Sequence, residues 1–170
     1  RINADTSSSI ETASNVMKAY LRGGGVVALE QGAWFLTAND VAEFAQHLPA
    51  ARIVDSNGLV EAGRLIKSAA ELAHMRSAAT VAATAMQAGL DAIEVGVRER
   101  DIAAAVYQAQ LSAGGEYTGL PAFVTSGERS LMVHASWSDR VVGDREVVFL
   151  EVPGSVNRYH AAHSRVAIAG

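Results

Sequence analysis

The stretch AAELAHMRSAATVAATAMQAGLDAI, residues 69–93, constrains the fold more than any other part of this chain. Leu72, Met75, Ala79, Ala82, Met86 and Leu90 recur at helical spacing and fall on one stripe. Ser68 and Glu71 stand just ahead of the run as a capping box, with a hydroxyl and a carboxylate three residues apart to satisfy the first free amides. The pattern therefore predicts one long helix. Its many alanines let another element approach closely.

The rest of the chain is organised around that helix. Ser8 and Glu11 form an earlier capping-box pattern, and Ile10, Ala13, Met17, Tyr20 and Leu21 follow at helical spacing until Gly23, Gly24 and Gly25 stop the helix. VVALE (26–30), AWFLT (33–37) and RIVD (52–55) read as short strands, and NDVAEFAQHL (39–48) as a helix closed by Pro49. Residues 1–58 are thus expected to be α/β, with 58–68 as a connector. Beyond it, RERDIAAAVYQAQLSAG (98–114) reads as a helix. AFVTSG (122–127), EVVFLEV (146–152) and the 158–170 segment read as strands, with a turn at VVGDRE (141–146).

Composition excludes several function classes. At 49% hydrophobic and 19% charged the chain can build a core, and its net charge of −4 with no basic stripe argues against a nucleic-acid partner. No cysteine is present, so disulfides and thiolate metal sites are ruled out, which suits a cytoplasmic protein. No apolar run approaches the roughly 20 residues needed to span a bilayer, and the N-terminus has no signal-peptide pattern. The absence of an initiator Met and the finish in IAG give an expectation that both ends are cut.

Chemistry concentrates in FLEVPGSVNRYHAAHSRV, residues 149–166. In EVVFLEV a period of two puts Val147, Phe149 and Glu151 on one face and Val148, Leu150 and Val152 on the other, the pattern of a strand buried on both sides. A carboxylate there is costly unless paired, hydrogen-bonded or neutral, which makes Glu151 a site candidate. The competing reading is a strand-end glutamate turning to water before Pro153. His134 lies in the loop SLMVHASWSDR, where a histidine serves either as a base or ligand or as an ordinary hydrogen-bonded surface group. Trp137 is close enough in sequence to line a pocket with it. His160 and His163 resemble a metal pair, but residues three apart on a strand point to opposite faces. His160 shares a face with Arg158, Ala162 and Ser164, while Tyr159, His163 and Arg165 take the other. His47 and His74 are expected to face solvent, and Trp34 and Phe35 to pack.

Several of these stretches together resemble one family. ARIVDSNGLV (51–60) and RLIKSAAELAHMRSAA (64–79) are similar to the domain junction of the creatinase, aminopeptidase P and prolidase group. VTSGERSLMVHA (124–135) resembles its "SG…H" segment, and FLEVPGSVNRYHAAHSRV its "LDFG…DGYHSDITRT" segment. The resemblance implies an α/β N-terminal piece over 1–60, the C-terminal part of a small domain. It also implies the first half of an α+β "pita-bread" catalytic domain over 61–170, in a longer bilobal protein that is commonly a homodimer.

Peptidases of that group hold two metal ions, and their first two ligands are aspartates at the positions of Glu151 and Ala162. Alanine has no donor atom, so a two-metal site is not expected, and neither a metal nor another cofactor is implied. Among metal-free relatives the segment looks most like the ectoine hydrolases, which open a cyclic amidine. By that resemblance Glu151 is the nucleophile and His134 moves protons. Arg165 either orients a substrate carboxylate or pairs with an acid elsewhere, and His160 and Trp137 help bind the small-molecule substrate. Two other readings stay open: an Xaa-Pro metallopeptidase with a degraded site, and a non-catalytic binding module.

Overall fold

The computed structural model describes residues 8–132 and 134–170. The chain divides into two compact units, Arg1–Ile66 and Lys67–Gly170.

In the first unit, helix α1 (Ser9–Leu21) precedes strand β1 (Gly25–Leu29), helix α2 (Ala38–His47), strand β2 (Ala51–Asp55) and helix α3 (Leu59–Leu65). β1 and β2 run parallel, from Gly25 opposite Ala51 to Leu29 opposite Asp55, so α2 is the crossover of a βαβ unit. Val27, Leu29, Phe44 and Leu48 form its core, with Ile10, Ala13, Met17 and Leu21 of α1 packed against them. Four readings need correction. AWFLT is a chain of turns rather than a strand, because Ala33 and Leu36 donate their N–H groups back to the Glu30 and Ala33 carbonyls. Trp34 and Phe35 consequently stand out, 95% and 68% exposed, touching each other edge to face. The box at α1 is half made: Ser8 accepts from the Glu11 amide, but its own hydroxyl donates to Glu43. The complete box is instead Thr37–Asp40 at α2, and α3 fills what reads as a connector.

The second unit begins with helix α4 (Ala69–Asp91), where the Ser68–Glu71 box is complete. Helix α5 (Glu99–Ser112) follows. Strands β3 (Phe123–Ser126), β4 (Val147–Val156) and β5 (Tyr159–Ile168) make an antiparallel sheet in the order β3-β4-β5. β4 and β5 form a long hairpin, from Val147 opposite Ile168 to Val156 opposite Tyr159.

α4 lies on the face of β4 that carries Val148, Leu150, Val152 and Gly154. A Cβ on Gly154 would collide with the backbone of Ala78 and Ala82. This close approach selects the stripe that α4 buries. It is Ala78, Val81, Ala82, Ala85, Met86 and Gly89, with Leu72 left exposed, so the line is rotated from the one read in the sequence. Small residues win the position nearest the sheet. α5 completes the layer, and Ile102, Ala103 and Val106 join Leu150 and Val152 in the core.

β4 is not buried on both sides. Its even-numbered residues Val148, Leu150 and Val152 are fully buried, whereas Val147 is exposed and Phe149 and Glu151 are half-buried. The two helices cover one face. On the other, Val166 and Ile168 of β5 are each 65% exposed.

Candidate active site

The hairpin register fixes which side chains share the open face. Glu151 pairs with Phe123 of β3 on one side and Ser164 of β5 on the other, and cross-strand partners point the same way. One step along the hairpin, Pro153 pairs with Ala162, which puts Ala162 diagonal to Glu151 on the same face. β4 does not end at Glu151, as the strand-end alternative requires. It runs on through Pro153 to Val156. Proline is tolerated there because β3 stops pairing at Glu151, leaving that side of β4 an edge. Among the described residues no side chain pairs with the Glu151 carboxylate.

His134 reaches this face through Phe123. Its ring lies 5.1 Å from the Phe123 ring, and Phe123 is the direct cross-strand neighbour of Glu151. His134 is exposed and holds a left-handed backbone at φ 59°, just after the short 3-10 turn Gly127–Leu131.

His160 lies on the same face, opposite Ser155, and both its ring nitrogens are engaged. Nε2 accepts the Gly119 N–H at 3.1 Å and Nδ1 lies 3.0 Å from the Arg158 carbonyl, an arrangement that fits a neutral ring protonated at Nδ1. His160, Gly119, Leu120, Pro153, Ala161 and Ala162 line a cleft of about 380 Å³. A larger hollow along α1, from Ser9 to Tyr20, carries no acid and no histidine and belongs to the other unit.

Two of the residues singled out in the sequence are not brought to Glu151. Arg165 pairs with Leu150 and therefore stands on the opposite face of the sheet, where Nη1 donates to the Ser164 carbonyl. Trp137 is half-buried and packs edge to face on Tyr107 of α5, at 5.5 Å, as part of the core rather than of a pocket wall. His160 and His163 do take opposite faces, as strand parity requires. His74 does not face solvent as expected: it stacks on Tyr159 at 5.5 Å, 3.1 Å from Asn157 through Nδ1. With Tyr159 donating to Glu71 at 2.9 Å, this ties the hairpin tip to the start of α4.

Sequence reasoning missed a buried polar cluster beside the His134 loop. Glu99, at the start of α5, is fully buried. Oε1 accepts from the Ser126 amide (2.8 Å) and hydroxyl (3.0 Å). Oε2 accepts from Arg129 (2.9 Å) and from the Ser138 amide (2.9 Å) and hydroxyl (2.6 Å). Arg129 also donates to the Ser136 carbonyl, at 2.8 Å. Next to it Arg140 makes a bidentate pair with Glu146, both contacts 2.6 Å, and donates to the Ser126 hydroxyl. That guanidinium and the Gly143 amide hold the Glu146 carboxyl down to about 2. In the sequence Glu99 looks like any first-turn acid. The only hint was the clustering of serines and arginines in 126–140.

A metal ion would need several donors around Glu151. The diagonal position is an alanine and the His160 ring is already engaged, so the residues on this face do not make a ligand set. Among the described residues no group of three histidine, cysteine, aspartate or glutamate side chains is placed to hold a metal ion.

Comparisons with known proteins give the family and the fold. The model of metallopeptidase family M24 matches residues 73–170. An uncharacterized hydrolase/peptidase of Sinorhizobium fredii is 38% identical over 148 residues, covering 85% of this chain and 38% of that protein. The ectoine hydrolase of Halomonas elongata is 29% identical over 155 residues, covering 86% of this chain and 39% of its own length. The X-Pro aminopeptidase of Thermotoga maritima superposes with a TM-score of 0.84 at 21% identity, covering 96% of this chain and 45% of that one, which establishes the partial pita-bread fold. This chain spans less than half the length of these relatives. With the family model covering most of the second unit, including the sheet that carries Glu151, the chain belongs to metallopeptidase family M24.

Proposed function

We propose that the protein is a metal-independent C–N hydrolase that opens a small cyclic amidine, with ectoine the first substrate to test. The observation that carries this reading is the Glu151 carboxylate on the open sheet face, unpaired among the described residues, with Ala162 at the diagonal position. A carboxylate without neighbouring acids does not assemble divalent ions, but it suits a cationic substrate. An amidinium carbon is electrophilic, and its charge favours ionised Glu151.

In this mechanism a Glu151 oxygen bonds to the amidinium carbon. The C–N bond breaks, its electron pair stays on nitrogen, and His134 supplies the proton that nitrogen needs. Neutral His134 then takes a proton from water, whose hydroxide displaces Glu151. The net change is addition of water across the C–N bond, leaving an amide and an amine. The cleft beside His160 and Ala162 is the place for the substrate's apolar part. The proposal includes residues 1–60 as part of a small N-terminal domain, 61–170 as the first half of the catalytic domain, and a cytoplasmic homodimer.

The test is ring opening of ectoine followed by NMR, using the protein at the full length of its relatives. Turnover by wild type and its loss in Glu151→Gln are expected. No turnover by wild type, or the same turnover in Glu151→Gln, sinks the reading. A second reading, an Xaa-Pro peptidase with an altered metal site, is favoured by the 28% identity to the Xaa-Pro dipeptidase of Pyrococcus furiosus over 107 residues. It predicts cleavage of Xaa-Pro dipeptides by metal-loaded protein.

A further inference from the structure

We propose that Glu99 is a positioning residue that holds His134 against Phe123, and so beside Glu151. This rests on the reading of His134 as the proton-transfer group. Glu99 touches neither His134 nor Glu151. What it grips is the chain on both sides of His134.

Arg129 and Ser138 flank His134 in sequence, and both bind Glu99 Oε2. Arg129 and Ser138 also contact each other directly. The same carboxylate holds the end of β3 through Ser126, three residues after Phe123. α5 itself is capped by this loop rather than by a side chain: the Glu99 and Arg100 amides donate to the Arg140 and Ser138 carbonyls, at 3.0 and 3.2 Å. One buried carboxylate therefore fixes three points: the strand that carries Phe123 and the two shoulders of the His134 loop.

A buried carboxylate with five donors is more than capping a helix requires. Two of those donors are backbone amides, whose geometry sets the path of the chain. His134 sits at the far end of that path in a left-handed conformation, a strained backbone that persists only where its surroundings hold it. Glutamine at position 99 keeps the shape and loses the charge. Its amide group would face donors only, so one shoulder of the loop has to let go.

The experiment uses full-length protein carrying labelled histidine and phenylalanine rings. The wild type, Glu99→Gln and the milder Ser138→Ala are compared, with His134→Ala for assignment and as the kinetic reference. In wild type a proton NOE links the His134 and Phe123 rings. The expected result is loss of that NOE in Glu99→Gln, while the His160 and His163 signals stay in place. With ectoine, kcat should fall by about 100-fold with little change in KM, the scale of misplacing a catalytic group by about 1 Å. Adding His134→Ala to Glu99→Gln should cost nothing further beyond His134→Ala alone.

Retention of the NOE in folded Glu99→Gln overturns the inference, as does a further loss of rate in the double variant. If Glu99→Gln does not fold, Ser138→Ala decides by the same NOE. If wild type fails to turn over ectoine, the functional reading falls, and the NOE still decides whether Glu99 sets the position of His134.

Discussion

Gly154→Ala should be the most damaging single-methyl change in the second unit. At that position an added Cβ would lie 2.7 Å from the Ala82 amide nitrogen, against the Ala78 carbonyl oxygen and 3.1 Å from the Ala82 methyl. Two of those atoms are helix backbone, which cannot rotate away. Clearing the Ala82 nitrogen alone means backing α4 off the sheet by about 0.7 Å, and the closer Ala78 oxygen demands more. A gap of that size forfeits about a quarter to a half of each dispersion contact it opens. Ala78, Ala82 and Ala85, all fully buried, line the seam. Overpacking typically costs about 1–3 kcal/mol, and backbone obstruction places this case at the upper end, about 3 kcal/mol. For a unit of this size that is a fall in Tm of about 15 °C.

Gly89→Ala should cost less, because its obstacles are the side-chain tips of Val106 and Leu150. Gly119→Ala meets only His160 Nε2 at 3.8 Å and should be near neutral. The assay is urea unfolding followed by Trp137 fluorescence in a Trp34→Phe background, since the chain has two tryptophans and Trp34 is exposed. Gly154→Ala within about 0.5 kcal/mol of wild type, or no worse than Gly119→Ala, would mean that α4 and β4 are not held at backbone contact along this seam.

Three further outcomes are expected. Acid should weaken the second unit: the Arg140 side chain and Gly143 amide lower the Glu146 carboxyl from 4.5 to about 2, and Ser68, Tyr159 and Arg158 lower Glu71 and Glu116. Because these groups titrate lower when folded, their contribution is complete above the ordinary carboxylate range and is lost as pH falls below it, toward 2 in the case of Glu146. Glu146→Gln should flatten that slope in pH-dependent unfolding. Tyr159→Phe removes the 2.9 Å hydrogen bond to Glu71 and should cost about 0.5–1.5 kcal/mol by thermal melting, with ectoine turnover preserved. Arg165→Ala should leave kcat and KM within about twofold, because Arg165 faces away from Glu151; a large rise in KM would place it at the substrate.

What the sequence showed and what it hid follow from range. Local rules located the Ser68–Glu71 cap, the run of α4, the face on which Glu151 lies and the separation of His160 from His163. Each of these depends on residues within a turn or on the two-residue period of a strand. The buried line of α4 was misplaced because it is chosen by Gly154, some seventy residues away, where backbone meets backbone. The open face of β4 was equally hidden. Phe149 and Val147 look like core residues, and only the placement of both helices on the even-numbered side leaves them out. Glu99 was invisible because its five donors sit on three residues of the 126–138 stretch, folded back onto the start of α5. Trp137 is read by proximity along the chain and Arg165 by resemblance to the family segment. Packing on Tyr107 drew one into the core, and register turned the other away.

Glu151 is proposed to act on an amidine without a metal ion. The most direct measurement is the rate of ectoine opening as a function of bound manganese, iron and zinc, with metal quantified in the same samples before and after chelation. One unchanged rate is expected while the metal content falls far below one ion per subunit. A rate that falls in proportion to bound metal and returns when the ion is restored would contradict it.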